Sequence, residues 1–292
     1  MYKRQADYRI LIEHADEVIR GLKYFLKASL ANKGIIAIED NKPRAIELFN
    51  QLTADDPNIS IVVCPEKYPQ GSERHLIYAV TGRVVPERAL PSAVGVIVDN
   101  IATAMQAALA VKDDLPCYER IVTVSGNAVH KPGNYRVRIG TLYSHLVEQG
   151  AQGLKNAPAR IISGGPMMGM AQASADFPVA KGTGAVLAFA ANENKVSEDP
   201  TCIRCGRCVE ACPMHLEPLY LYLYVQKNRI EDLEAAHVMD CIECGACSYI
   251  CPGRLHLTHS FKVGKQKVKE AAAKAKAAAE AAKAAEEAKK EA

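Results

Sequence analysis

Eight of the ten cysteines in this 292-residue chain stand in two copies of one pattern. The first copy is Cys202, Cys205, Cys208 and Cys212, followed by Pro213. The second is Cys241, Cys244, Cys247 and Cys251, followed by Pro252. Both read C-x2-C-x2-C-x3-C-P, a run that holds [4Fe–4S] clusters. A cubane needs four thiolates at the corners of a tetrahedron, and the two-residue spacing lets one tight loop supply three of them. In two-cluster proteins the fourth cysteine of each run crosses to the other cluster. The predicted sets are therefore Cys202, Cys205, Cys208 and Cys251 for one cluster, and Cys241, Cys244, Cys247 and Cys212 for the other. Crossing brings the two clusters side by side, as electron relay requires. Disulfides suit an oxidising compartment, and a chain this long does not need such staples. Structural zinc asks for two C-x2-C pairs, not a fourth cysteine three residues on with a proline behind it. Cys64 and Cys117 sit beside apolar segments and read as buried, inert thiols.

The elements that carry these loops follow from composition and periodicity. Nearly half the chain is apolar, so it can bury a sizeable core. No segment approaches the ~18 uncharged apolar residues of a membrane span. Asp7, Glu13, Asp16 and Glu17 interrupt any leader-like stretch. Reduced thiols without a leader point to the cytoplasm. The net charge of +3 is uneven: residues 262–292 carry nine lysines against five glutamates, leaving the first 261 residues at −1. That body offers no electrostatic case for nucleic acid.

Residues 1–113 alternate helix and strand signals. A helix is predicted over about 16–31, with Val18, Ile19, Leu22, Phe25 and Leu26 on one side. Strands are predicted at 35–38, 59–63 and 94–98. Helices are predicted at about 43–53, started by Asn41 as a cap and by Pro43, then at 73–80 and 101–111. That order argues an α/β domain with a parallel sheet. In 114–192, strands at 121–124, 135–139, 160–163 and 184–189 surround one short helix at 141–148, which suggests a β-grasp unit. Region 193–260 carries the clusters and is predicted mostly helical, with two helices between the cysteine runs. Residues 261–292 form a low-complexity Ala/Lys/Glu tail, read as a solvated helix or a disordered segment. Met167, Met168 and Met170 read as gap-filling packing. His215, His237, His256 and His259 read as surface groups, or as groups around the clusters that modestly tune potential, and not as ligands. No nucleophile–base pair for hydrolysis is evident.

Several segments in this order resemble the C subunit of the Rnf electron-transport complex, also called Rsx. They are 6–9 (ADYR), 38–43 (IEDNKP), 67–71 (KYPQG), 124–126 (VSG), 131–135 (KPGNY), 164–169 (GGPMMG), 181–183 (KGT) and both cysteine runs. The resemblance covers about residues 6–260. It implies a flavin/NADH-type α/β domain, a soluble-ligand-binding β-grasp module and a two-[4Fe–4S] ferredoxin-like domain. It further implies a redox subunit of a translocase-type NADH:ferredoxin-class oxidoreductase complex. Such a subunit passes electrons from NADH through FMN and two clusters to the other Rnf/Rsx subunits, with NADH or a ferredoxin-type protein as its redox partner. It would lie peripherally at the cytoplasmic face of the inner membrane, attached through protein partners and not through lipid. A soluble electron-input module of a dehydrogenase or hydrogenase is the alternative, and a non-enzymatic adaptor with clusters as folding staples is a third reading.

The family's α/β domain is similar to the FMN- and NADH-binding subunit of respiratory complex I. Its Tyr-x-x-Gly-Glu-Glu loop matches 68–73 here, with Ser72 replacing one Glu. Its Asn-Asn-Val-Glu-Thr turn matches 99–103, departing at Asp99 and Ala102. The resemblance thereby implies Tyr68, Gly71, Glu73, Asn100 and Thr103 as flavin-site residues. Read from the residues alone, they are an ordinary turn and an ordinary helix cap. The family's glycine-rich phosphate loop has no counterpart, since no G-x-G-x-x-G occurs and the chain opens abruptly on Met1-Tyr2-Lys3-Arg4-Gln5. The expectation is an N-terminally truncated chain with an incomplete FMN site, binding flavin poorly by itself.

Overall fold

The computed structural model describes residues 5–193 and 200–291. The unusual opening, 1–4, lies outside the described residues, as does most of the junction just after 193. The chain divides into two compact units, Met1–Lys195 and Val196–Ala292.

The first unit begins with helices α1 (Gln5–Glu13) and α2 (Ala15–Ser29). The α2 stripe works as its spacing predicts: Val18 and Ile19 are buried, and Leu22, Phe25 and Leu26 pack against the same core. Gly21 lies where α2 meets α5 (Ile101–Asp113). A Cβ there would stand 1.9 Å from the Ala104 carbonyl oxygen, so only glycine allows this approach. Strand β1 (Gly34–Glu39), helix α3 (Pro43–Leu52) and strand β2 (Ile59–Cys64) form a βαβ unit. The strands pair in parallel from Gly34↔Ile59 to Glu39↔Cys64. Ile36, Ile38 and Ile59 of the strands meet Phe49 of α3 and Met105 of α5 in one core. Helix α4 (Glu73–Thr81) follows and packs on β2.

Two expectations for this region are corrected. Asn41 does not cap α3: Lys42 holds the N-cap position without a side-chain bond, and Asn41 Oδ1 accepts instead from the Lys42 ammonium. Pro43, at the first helical position, still sets the start. Residues 94–98 are not a strand. Pro91–Val94 is a 3-10 turn, Gly95 reverses the chain at φ +68°, and Ile97 is 65% exposed. Apolar β-branched residues favour a strand only where a neighbour pairs with them, and among the described residues the sheet here contains β1 and β2 alone.

The second part of this unit is a five-stranded sheet in the order β4-β3-β7-β5-β6. Its strands are β3 (Glu119–Ser125), β4 (Gly133–Arg138), β5 (Arg160–Ser163), β6 (Met170–Gln172) and β7 (Ala185–Phe189). β3 and β7 run parallel, and the other pairs are antiparallel. The short helix α6 (Tyr143–His145) widens into a π turn over Leu146–Gly150. It buries Tyr143, Leu146 and Val147 against Val122, Val124 and Val186. The Tyr143 hydroxyl is 2.7 Å from the Ser163 hydroxyl, which satisfies both groups in a largely buried place. This is the mixed sheet around one helix that the β-grasp reading requires. Strand β6 was not expected, because three residues beside Gly169 carry too short a signal. Met168 and Met170 are 47% and 64% exposed, so they do not fill a core gap as predicted.

The second unit holds helices α7 (Arg207–Glu210), α8 (Pro218–Gln226), α9 (Ile230–Ala235), α10 (Ala246–Ile250) and α11 (Leu257–Glu291). Residues 216–237 form two helices, despite the alternating Leu-Tyr run. Leu221 and Val225 of α8 and Leu233 of α9 pack on Leu257, Phe261 and Val268 of α11. That helix continues across residue 261 through the Ala/Lys/Glu region. From Lys269 to Lys283 its residues are exposed. No described helix is long and apolar enough to cross a membrane.

In the α/β region Asn100 is the N-cap of α5, its Oδ1 accepting from the Ala102 N–H at 2.8 Å. Asn100→Ala is expected to lower stability by about 1 kcal/mol, the usual worth of such a cap, in denaturant unfolding.

Candidate functional site

The two cysteine runs are one loop built twice. Each turns left-handed two residues after its first cysteine, at Arg204 (φ +56°) or Glu243 (φ +55°), and again at Gly206 (φ +77°) or Gly245 (φ +82°). The first turn aims a backbone N–H inward. Arg204 N–H donates to Cys202 Sγ at 3.4 Å, and Glu243 N–H donates to Cys241 Sγ at 3.4 Å. Each loop enters a short helix, α7 or α10, and the two pack on each other. Each run ends on a third left-handed residue, His215 (φ +55°) or Arg254 (φ +54°). A left-handed conformation costs a non-glycine residue about 1–2 kcal/mol. Such outliers persist where the surroundings over-determine them, and they gather at functional sites.

The sulfurs group across the runs. The Cys208 thiol has Cys251 and Cys202 as its cysteine neighbours. Cys241 has Cys212 and Cys244, and Cys247 has Cys241 and Cys244. Cys212, Cys241, Cys244 and Cys247 line a single cavity together with Thr258 and Phe261. Burial pushes the Cys208, Cys241 and Cys247 thiols up, Cys247 to about 12, and the neighbouring thiols add to it. Opposing contributions come from backbone N–H groups at Cys208 and Cys241 and from the Thr258 hydroxyl at Cys247. Leu216 N–H donates to Cys212 Sγ at 3.3 Å. Four desolvated thiolates would repel one another, and a cationic iron core removes both penalties. In the second set the donor chemistry, the cavity and the inward N–H groups therefore fit a [4Fe–4S] cluster, and in the first set the donor chemistry and the Arg204 N–H fit one as well.

The sets differ in exposure. Cys202 and Cys205 are exposed, whereas Cys244 and Cys247 are buried. Above the second loop, Lys265 of α11 donates to Glu243 Oε1 at 2.9 Å and to the Cys241 carbonyl. Lys262 lies 3.9 Å from the same carboxylate. Sequence reading missed this clasp, since it assigned residues past 261 to a tail. His215, His237, His256 and His259 are all exposed. Cys64 is buried as expected, but Cys117 is only half-buried.

The residues expected to hold flavin fall in two groups. Tyr68 and Gly71 lie in the turn before α4, and Glu73 opens that helix. Asn100 caps α5 and Thr103 is exposed in its first turn. The Asn100 carbonyl oxygen is occupied by its cap, which leaves the amide N–H2 for a ligand.

Three families match parts of the chain. The Nuo51 FMN-binding domain matches residues 4–109, the SLBB domain 121–171 and the 4Fe-4S dicluster domain 194–252. The chain is 41% identical over 263 residues to the C subunit of the "Na(+)-translocating ferredoxin:NAD(+) oxidoreductase complex" of Acetobacterium woodii. That alignment covers 90% of this chain and 59% of the relative. It is 42% identical over 265 residues to the C subunit of the "Ion-translocating oxidoreductase complex" of Rhodobacter capsulatus, covering 90% and 51%. The chain thus spans between half and three fifths of the length of these two relatives. Among solved structures, an NAD+-reducing [NiFe]-hydrogenase in the H2-reduced state shares the fold at a TM-score of 0.56 and 17% identity. That match covers 88% of this chain and 51% of the other.

Proposed function

We propose, for a chain that belongs over its matched residues to the C-subunit family of ion-translocating oxidoreductase complexes, an electron relay through two adjacent [4Fe–4S] clusters. The observation that carries this reading is the crossed grouping of the cysteines, Cys208 with Cys251 and Cys241 with Cys212. Bound clusters supply one-electron chemistry at a potential set by their surroundings. The chain's own residues do the rest. The two runs hold the eight sulfurs, and the crossed fourth ligands fix the sets next to each other. The N–H groups of Arg204, Glu243 and Leu216 favour the more negative, reduced state by donating to sulfur.

At the other end of the relay, we assign flavin binding to Tyr68, Gly71, Glu73, Asn100 and Thr103. The match of 4–109 to an FMN-binding family supports this. Thr103 and the α5 N-terminus suit a phosphate, where helix N–H groups and the dipole favour negative charge. In this reading the physiological electron source is NADH, the receiving partners are the other subunits of the complex, and attachment is peripheral at the cytoplasmic face of the inner membrane.

The test is anaerobic reconstitution of the full chain. About eight iron atoms and about eight acid-labile sulfides per chain are expected, as two four-cysteine sets require. The absorbance should bleach reversibly on reduction. About four irons, or zinc in place of iron, would overturn the reading, and irreversible bleaching would favour clusters as folding staples.

A further inference from the structure

The two runs share ligands and turns, but the helices that follow them do not share donors. In the second half, α11 reaches the sulfur set at two points. Thr258 Oγ1 lies 3.9 Å from Cys247 Sγ. A cluster-bound sulfur carries no proton, so the hydroxyl is the donor. Ser248 holds it in place: its Oγ accepts from the Thr258 N–H at 2.9 Å and lies 2.8 Å from the Thr258 hydroxyl. Two turns further along α11, Lys265 is 15% exposed and donates to the Cys241 carbonyl and to Glu243 Oε1. Lys262, 3.9 Å from the same carboxylate, leaves this clasp one positive charge in excess. Burial raises the Cys241 and Cys247 thiols, and Lys265 at the first and Thr258 at the second pull the other way. Counted from the first cysteine of each run, the first half has Val209, Leu219 and Gln226 where the second has Ser248, Thr258 and Lys265. Val209 and Leu219 have no proton to donate, and Gln226 is uncharged and exposed.

We propose that Thr258 and Lys265 are positioning residues that raise the reduction potential of the cluster held by Cys241, Cys244, Cys247 and Cys212, offsetting the cost of its burial. The proposal rests on the relay reading above. An added electron makes a thiolate-bound cluster more negative, and desolvated surroundings oppose that. A fixed cation and a hydrogen bond to sulfur favour it. Lys265 acts through the Cys241 carbonyl, Thr258 through the Cys247 sulfur, and neither touches the iron. The first set, with Cys202 and Cys205 exposed, meets water instead. Two sets with the same ligands and unequal burial would otherwise stand far apart in potential. Donors on α11 alone keep the step between them small.

Redox titration of the anaerobically reconstituted full chain, followed by electron paramagnetic resonance, reads the two midpoints. Iron is counted first. Lys265→Met should lower one midpoint and leave the other in place. The expected loss is about tenfold in the reduction equilibrium, which for one electron is about 59 mV. Thr258→Val should lower the same midpoint severalfold, and Lys265→Arg, which keeps the charge, should hold it near the unmodified value. Glu243→Gln leaves the cations unopposed and should raise it. Lys265→Met and Glu243→Gln both break the clasp, so a merely structural role would move the midpoint the same way in both. Opposite shifts are the signature of tuning. Repeating Lys265→Met on a Cys205→Ala chain, which lacks the first set, should reproduce the fall. Shifts of one sign in the two clasp variants, or a fall that vanishes with Cys205→Ala, would overturn the proposal. If Lys265→Met takes up only about four irons, one set of the two, Thr258→Val and Glu243→Gln decide by the sign of their shifts. A fully loaded Lys265→Met chain with unmoved midpoints removes the tuning and leaves the relay standing, whereas an unmodified chain that takes up no iron removes the relay itself.

Discussion

Cys212→Ala should halve the iron content, from about eight to about four atoms per chain, and the surviving cluster should be the one held by its own run. Cys212 follows α7 in sequence, but its sulfur lies beside Cys241 and lines the cavity of the second loop. Its removal leaves Cys241, Cys244 and Cys247 with three corners of a tetrahedron. A second substitution decides the crossing. Adding Cys244→Ala should change little, because it strikes a cluster already lost. Adding Cys205→Ala should take the count toward zero. The opposite pattern would mean that each run serves a single cluster.

Gly253→Ala should remove the other cluster. At the equivalent position of the first run stands Met214, so the fold does not demand glycine after the proline. The demand is local to Gly253. A Cβ there would lie 1.9 Å from the Thr201 carbonyl oxygen and 3.0 Å from its carbon. Thr201 precedes Cys202, so relief of the clash drags a ligand off its corner. Overpacking costs typically about 1–3 kcal/mol, and here the displaced segment is exposed and able to move. Iron should fall to about four per chain, with the buried set retained. The control is Gly182→Ala, which meets nothing within 4 Å. A Gly253→Ala protein with full iron and an unchanged spectrum would show that the first run tolerates the shift.

The site could be read in the sequence because its information is local. Two residues between cysteines fix a loop, and the repeat at 202–212 and 241–251 proposes its own partner. The β-grasp order and α2 were legible for a related reason: hydrophobic period alone decides which face turns inward. What failed depended on neighbours distant in sequence. Residues 94–98 have strand composition but no strand beside them, and Asn41 has capping chemistry but sits one position too early. The unequal exposure of the two cluster sets was invisible, because their cysteine spacings are identical. The second set is covered by α11, through Thr258 and Phe261 at its cavity and Lys265 over Glu243 and the Cys241 carbonyl, partly in a stretch whose composition reads as mere solvated tail.

That same stretch has a thermodynamic consequence. From Lys269 to Lys283 α11 is exposed, and an isolated helix of about 15 residues is marginal in water even when rich in alanine. Its order must spread from the turns that are held, Leu257 through Val268, which pack on α8 and α9 and contact the second loop through Thr258 and Lys265. Those turns are the nucleus, and the exposed turns are propagation. Loosening the iron site frees the nucleus, so the helix should shorten from its far end as the near end is released. Circular dichroism at a helical wavelength then becomes a gauge of cluster occupancy, read from residues that never approach the metal.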